Sequence, residues 1–64
     1  MPLIARTTHL FKEPSTLEAV TQLVGTELEA TVFGRATPNA RVIEATPVYE
    51  EDVVIGASIL VQLP

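Results

Sequence analysis

The side chains in this 64-residue chain that could do chemistry begin with its single histidine, His9. Histidine is the residue type that most readily gains and loses a proton near neutral pH, so it is the natural candidate for a general base. A general base also needs an orienting partner and a pocket for the substrate. No Ser-His-Asp or Cys-His spacing surrounds His9. We therefore expect His9 to be a strand residue that packs against the helix or at an interface.

The acidic triplet Glu50-Glu51-Asp52 is a second candidate, because carboxylate oxygens suit hard cations such as calcium. Calcium loops, however, place their ligands at alternate positions and include a glycine for the bend, and the triplet does neither. We expect it to be a solubilising turn that protects the apolar strand after it. With no Cys, one His and three isolated glycines, the chain is predicted to hold neither a metal nor a cofactor.

A third candidate is Pro2, because removal of the initiator methionine would leave its secondary amine free to act as a base. Two patches around and beyond it resemble the 4-oxalocrotonate tautomerase family: Pro2-Leu3-Ile4 with Lys12 and Pro14, and Arg41-Val42-Ile43 with Ala45-Thr46-Pro47 and Ile55-Gly56-Ala57. The resemblance implies short β-α-β subunits with a C-terminal hairpin, assembled as hexamers or related trimers. It also implies that Pro2 is the catalytic base and that Arg41 and Lys12 bind an enol or keto acid.

Composition bears on the remaining classes of function. The net charge is −4, and the four basic residues are scattered rather than clustered, so we expect no nucleic-acid partner. No apolar run approaches the roughly 20 residues of a membrane helix, and the N-terminus does not resemble a signal peptide. The expectation is a single domain over residues 1–64 that is cytoplasmic as made and does not bind membranes.

The first half of the chain predicts a strand followed by a helix. Residues 2–11 are rich in β-formers, and Lys12-Glu13-Pro14 is expected to break that strand. Ser15 and Glu18 fit a capping box that begins a helix. The apolar side of this helix is then predicted to consist of Leu17, Val20, Leu23 and Val24.

The end of this helix separates two possible α+β folds. Gly25 is a natural helix terminator, which gives a short helix over about 16–24, a strand near 27–33 and a β-α-β-β-β order with an antiparallel meander. The apolar spacing also continues to Val32, which gives one long helix over about 16–33 in a β-α-β fold with a C-terminal hairpin. The alternating pattern of residues 27–32 favours the first fold.

The second half predicts two further strands. Residues 35–39 are expected to form a turn and residues 40–49 a strand that lies at an edge or bends at Pro47, since proline cannot donate to a ladder. Residues 53–63 form the longest apolar strand, in which every odd position is apolar and the even positions, among them Val54 and Leu60, are half polar. Gly56 in this strand indicates a bend, a bulge or a close backbone approach.

A chain of this length has little with which to cover both faces of that last strand, and small domains without disulfides or metals commonly need a partner. We therefore expect a non-enzymatic structural module that completes its sheet by forming a homo-oligomer or by docking in a larger assembly, such as a virion decoration or tail component. The tautomerase-like enzyme is the alternative. The predicted interface residues are Val54, Ile59, Leu60, Val61 and Leu63.

Overall fold

The computed structural model of the chain describes residues 3–64, so the catalytic role expected for Pro2 lies outside the described residues. The chain folds into a four-stranded antiparallel sheet with one short helix. The sheet order is β1-β4-β3-β2. The elements are β1 (Leu3–Ser15), α1 (Leu17–Leu23), β2 (Glu27–Val32), β3 (Arg35–Glu50) and β4 (Val53–Leu63). The predicted β-α-β-β-β order with its antiparallel meander is confirmed, although the sheet dominates the α+β fold.

The helix is short, so the long-helix alternative is wrong. It ends at Leu23, with Val24 as the C-cap. Gly25 follows at φ +89°, a left-handed conformation that glycine adopts without steric cost. The N-cap is Thr16 rather than the predicted Ser15, and its hydroxyl accepts a hydrogen bond from the Ala19 amide.

The predicted apolar side of the helix is only partly used. Val20 is buried and Leu23 packs against the core, whereas Leu17 and Val24 are exposed. Two helical turns are too short to lay all four side chains on the sheet, since each turn advances only about 5.4 Å. The helix therefore covers the sheet at a single place, over β3 and β4.

The inner face of the sheet carries the core and is lined mostly by small side chains. β4, the central strand with β3, contributes the fully buried pair Ile59 and Val61. The cluster is Ala5, Val20, Ala30, Val32, Ala40, Val42, Val54, Ala57, Ile59 and Val61. Alanine on all four strands lets the backbone curl closely around the core, so one sheet encloses much of its own interior.

Four register shifts interrupt the pairing of the strands, and two of them lie between β3 and β4. Ile55 of β4 has no opposite residue in β3, and Ile43 of β3 has none in β4. Across such a bulge the alternation of faces is interrupted. As a result Val54 lies in the core with Ala57, while Val53 is exposed. The predicted shared face of Val54 and Leu60 is therefore corrected: Val54 belongs to the inner face.

Irregularity at two other places also departs from the sequence prediction. β1 does not stop at Lys12-Glu13-Pro14; it runs to Ser15, and residues 11–14 oppose only Ile55 before pairing resumes at Ser15 and Val54. The turn predicted at 35–39 lies instead at Phe33-Gly34. Residues 35–39 belong to β3 instead, and they contain a bulge at Asn39, whose φ is +61°.

Both hairpin loops have two residues with positive φ, as in a type I′ turn. Phe33-Gly34 joins β2 to β3, with φ values of +53° and +76°. Glu51-Asp52 joins β3 to β4, with φ values of +52° and +66°, which confirms the predicted charged turn. Glutamate and phenylalanine are unfavourable in this conformation, so each turn stores backbone strain.

Gly56 marks a close backbone approach between β4 and β1. A Cβ atom at this position would lie 2.5 Å from the carbonyl oxygen of His9 and 3.0 Å from the Leu10 Cα. Neither backbone atom can move without displacing β1 from its ladder. The sequence prediction for Gly56 is confirmed, with the neighbouring strand as the cause.

We expect Gly56→Ala to lower the free energy of unfolding by about 1–3 kcal/mol, because the added methyl group forces the two strands apart. Urea denaturation measures the change. Gln62→Ala, on the same strand and face, is the control and is expected to change stability by less than about 0.5 kcal/mol. Equal stability of both variants would show that β1 is free to move away.

We expect Glu51→Asn/Asp52→Gly to raise the free energy of unfolding by about 1 kcal/mol, because these residues suit both positions of a type I′ turn. The thermal midpoint should rise by about 4–8 °C. The control variant Glu13→Gln/Glu50→Gln also removes two negative charges, but at positions outside the turn. If the control rises as much as the turn variant, relief of charge repulsion is the cause and the strain argument fails.

Candidate functional site

The residues expected to bind a substrate lie at opposite ends of the sheet. Arg41 shares a row with Gln62 and Ile4, close to the start of β1. Lys12 lies in β1 beyond Leu10, which pairs with Gly56 near the far end. At about 3.3 Å per residue, Ile4 and Lys12 are on the order of 20 Å or more apart. One chain therefore does not bring Arg41 and Lys12 together around a single small acid.

A shallow groove of about 260 Å³ lies beside Arg41. The Arg41 guanidinium is 3.6 Å from the Glu27 carboxylate, and both side chains are more than half exposed. The charge of Arg41 is thus already balanced on the groove's own wall, and the remaining polar side chains are the amides of Asn39 and Gln62. The groove is lined by Glu27, Asn39, Arg41, Gln62, Leu63 and Pro64.

His9 lies on the inner face, where its ring meets Phe11 edge-on with centroids 5.7 Å apart and an interplanar angle of 80°. Its strand partner is Ala57. The ring is thus half-buried in its own strand beside an aromatic side chain, and the contact found is with Phe11 rather than with the helix. Within residues 3–64, no three His, Asp or Glu side chains lie together in a way that could hold a metal ion.

The predicted interface residues divide between the two faces of β4. Ile59 and Val61 are fully buried and Val54 is nearly so, so these three serve the chain's own core. Leu60 is half-buried on the outer face, and Leu63 packs at the margin of the core. The interface prediction therefore rests on Leu60 and Leu63.

Leu60 is flanked by an ion pair on the outer face. It sits between Arg6 of β1 and Glu44 of β3, whose charged groups approach to 4.0 Å. Arg6 also donates a hydrogen bond to the Ser58 hydroxyl at 3.2 Å. An exposed pair of this kind contributes little stability, yet it lies across the leucine and limits what can reach it.

The outer face of β1, by contrast, presents bare apolar side chains. Ile4 is 48% exposed and Leu10 is 63% exposed. Between them lie Arg6, held toward β4 and β3, and Thr8, which pairs with Ser58. β1 is at the end of the sheet and pairs only with β4 among the described strands, so the backbone groups of its other edge take part in no ladder.

The sheet curls until its two end strands meet across the inner face. The Thr7 hydroxyl of β1 donates to the Thr31 carbonyl of β2 at 2.8 Å. Between residues 3 and 64, β1 and β2 share no backbone ladder. This side-chain bond closes the curl without occupying β1 in a second ladder.

The sequence pattern, in which neither face of residues 2–11 is cleanly polar, allows this strand to lie between subunits, but the interface residues were predicted on the longest apolar strand instead. The signal that could have found the open edge of β1 is the pattern of protecting residues. Prolines or charged residues occur in every other open part of a strand, namely in residues 12–14, at Pro47 and at Glu27 and Glu29. In residues 3–11 the only ionisable side chains are those of Arg6 and His9, and there is no proline. The helix among residues 3–64 is not long and apolar enough to cross a membrane.

We expect Thr7→Val to lower the free energy of unfolding by about 1 kcal/mol, because it removes the bond to Thr31 while keeping the side-chain shape. Amide exchange in β2 should quicken as the curl loosens. Thr8→Val, next along the strand but on the outer face, is the matched control with an expected change within about 0.5 kcal/mol. Indistinguishable exchange in the two variants would show that the core alone holds the curl.

No family model matches this chain, and no match was found among the curated proteins or the solved structures.

Proposed function

We propose that this protein is a non-enzymatic interaction module that completes its sheet with a second protein chain, and that the chain it pairs with is a copy of itself. The observation that supports this most directly is the open edge of β1 with Ile4 and Leu10 exposed beside it. A strand with unpaired backbone groups and apolar neighbours is a template for strand addition.

The size of the surface supports the same proposal. The chain exposes 4537 Å², whereas a monomeric protein of 6.9 kDa is expected to expose about 4,000 Å². Its extents of 38 × 22 × 14 Å describe a thin slab rather than a sphere. A second copy would cover part of the excess, and apolar surface removed from water is the main driving force for such association.

The other open edges of the sheet are protected. β2 is only six residues long and carries Glu27 and Glu29. The half of β3 beyond residue 42 pairs only with β4, and Pro47 stands in it. Short length, charge and proline are the usual means by which proteins keep strand edges from pairing. Residues 3–11 of β1 use none of these means except the charge of Arg6.

We expect the wild-type chain to sediment as a dimer or larger oligomer, and Leu10→Lys to raise its dissociation constant at least tenfold, because a charged group at the edge would be desolvated on pairing. Analytical ultracentrifugation over a dilution series measures both. A monomeric wild type at every concentration would refute the proposal.

The matched control for this prediction is Leu17→Lys. Leu17 is an exposed leucine like Leu10, but it lies on the helix away from the β1 edge. We expect this variant to associate as the wild type does. If Leu10→Lys and Leu17→Lys weaken association equally, general surface hydrophobicity, rather than the edge of β1, drives it.

A further inference from the structure

The side chains along β1 select one way for two copies to pair. An antiparallel pair of identical strands is related by a two-fold axis, and the residue on the axis faces itself. Inner-face residues of one copy must oppose inner-face residues of the other copy. From one register that satisfies this condition to the next, the partner of every residue therefore shifts by two positions. Only a few such registers pair most of residues 3–11 with the same segment of the second copy. These registers differ in which side chains face each other.

We infer that the two copies pair through β1 about a two-fold axis at Thr7, an inference that rests on the function proposed above. In this register Ile4 faces Leu10 of the second copy, and Arg6 faces Thr8 of the second copy. Both contacts occur twice. The two exposed apolar side chains of the outer face thereby cover each other, and no like charges meet.

The inner face fits the same register. Leu3, which is 54% exposed in one chain, faces Phe11 of the second copy, and Ala5 faces His9 of the second copy. Large apolar side chains thus meet at the two ends of the paired segment, and small ones oppose the larger ring of His9 near the middle. The result is a continuous sheet of eight strands.

The neighbouring registers are worse on the outer face. With the axis at Arg6, the Arg6 residues of the two copies oppose each other directly, and like charges in that position are destabilising. With the axis at Thr8, Ile4 faces Lys12 of the second copy and Arg6 faces Leu10. Each of these shifts exchanges apolar contacts for charged ones, so the choice of register follows from where Ile4, Arg6 and Leu10 stand in the strand.

The ion pair on the outer face is compatible with this arrangement. Arg6 is drawn across Leu60 toward Glu44 and Ser58 of its own chain, which takes its charge away from the edge. The hydroxyl of Thr8 from the second copy is then the group opposite it.

Engineered cysteines test the register, because the chain has no cysteine of its own. We expect Ile4→Cys/Leu10→Cys to form a disulfide-linked dimer on mild oxidation at least tenfold faster than either single variant. Directly opposed residues have Cβ atoms about 4.5–5.5 Å apart, close to the disulfide range, whereas diagonal neighbours are about 7–8 Å apart. The single variants Arg6→Cys and Thr8→Cys test the two neighbouring registers, because a cysteine on the two-fold axis would face the same cysteine of the second copy.

Each outcome separates this inference from the proposed function. Cross-linking of Arg6→Cys or Thr8→Cys in place of the double variant overturns the register and leaves pairing through β1 intact. If none cross-links although the wild type is a dimer, pairing through β1 is overturned while self-association stands on another surface. A monomeric wild type overturns both.

A charge exchange gives a second measurement that does not depend on oxidation. Ile4→Glu and Leu10→Lys alone are each expected to weaken the dimer at least tenfold. Combined in one chain, they place a glutamate opposite a lysine at both contacts, and we expect the dissociation constant to return to within a few-fold of the wild-type value. A double variant that associates no better than the weaker single variant overturns the register.

Discussion

The fold depends on one constraint, which is that a single four-stranded sheet must enclose its own core. Only Val20 and Leu23 of the helix contribute to that core, so the sheet itself must curl. Alanine on every strand permits the close approach, and the absence of a side chain at Gly56 permits β1 to lie against β4. The Thr7–Thr31 hydrogen bond then joins the end strands. A larger side chain at any of these places would flatten the sheet and expose the core.

Much of this was predictable from sequence, because alternation and helix punctuation are local properties. Residue types alone favour the observed order of elements and the end of the helix before Gly25, and at Gly56 they indicate a bend, a bulge or a close approach, of which the last is found. The bulges at Ile43, Ile55 and Asn39 do not, because they follow from the bending that distant strands impose on one another. One such bulge moves Val54 from the outer to the inner face, and no periodicity in the sequence signals it.

The site was predictable only in part, for a related reason. Burial of Ile59 and Val61 shows that the strongest apolar strand is in the centre of the sheet, where it serves folding. An interface depends instead on which strands lie at the ends, and that is a property of topology. Lys12 and Arg41 illustrate the same point, since their distance apart is set by the antiparallel pairing of β1 with β4 and of β4 with β3.

The proposed pairing gives β1 two purposes, which would account for its mixed character. Its inner face must be small where the sheet curls, which accounts for Ala5 and Thr7, while its outer face carries Ile4 and Leu10 with no layer of the same chain above them. In a monomer those exposed side chains would contribute nothing to folding and would favour aggregation. The symmetric pairing that we propose would resolve the conflict, because a closed two-fold contact uses the β1 edge of both copies and leaves only the protected edges of β2 and β3 exposed.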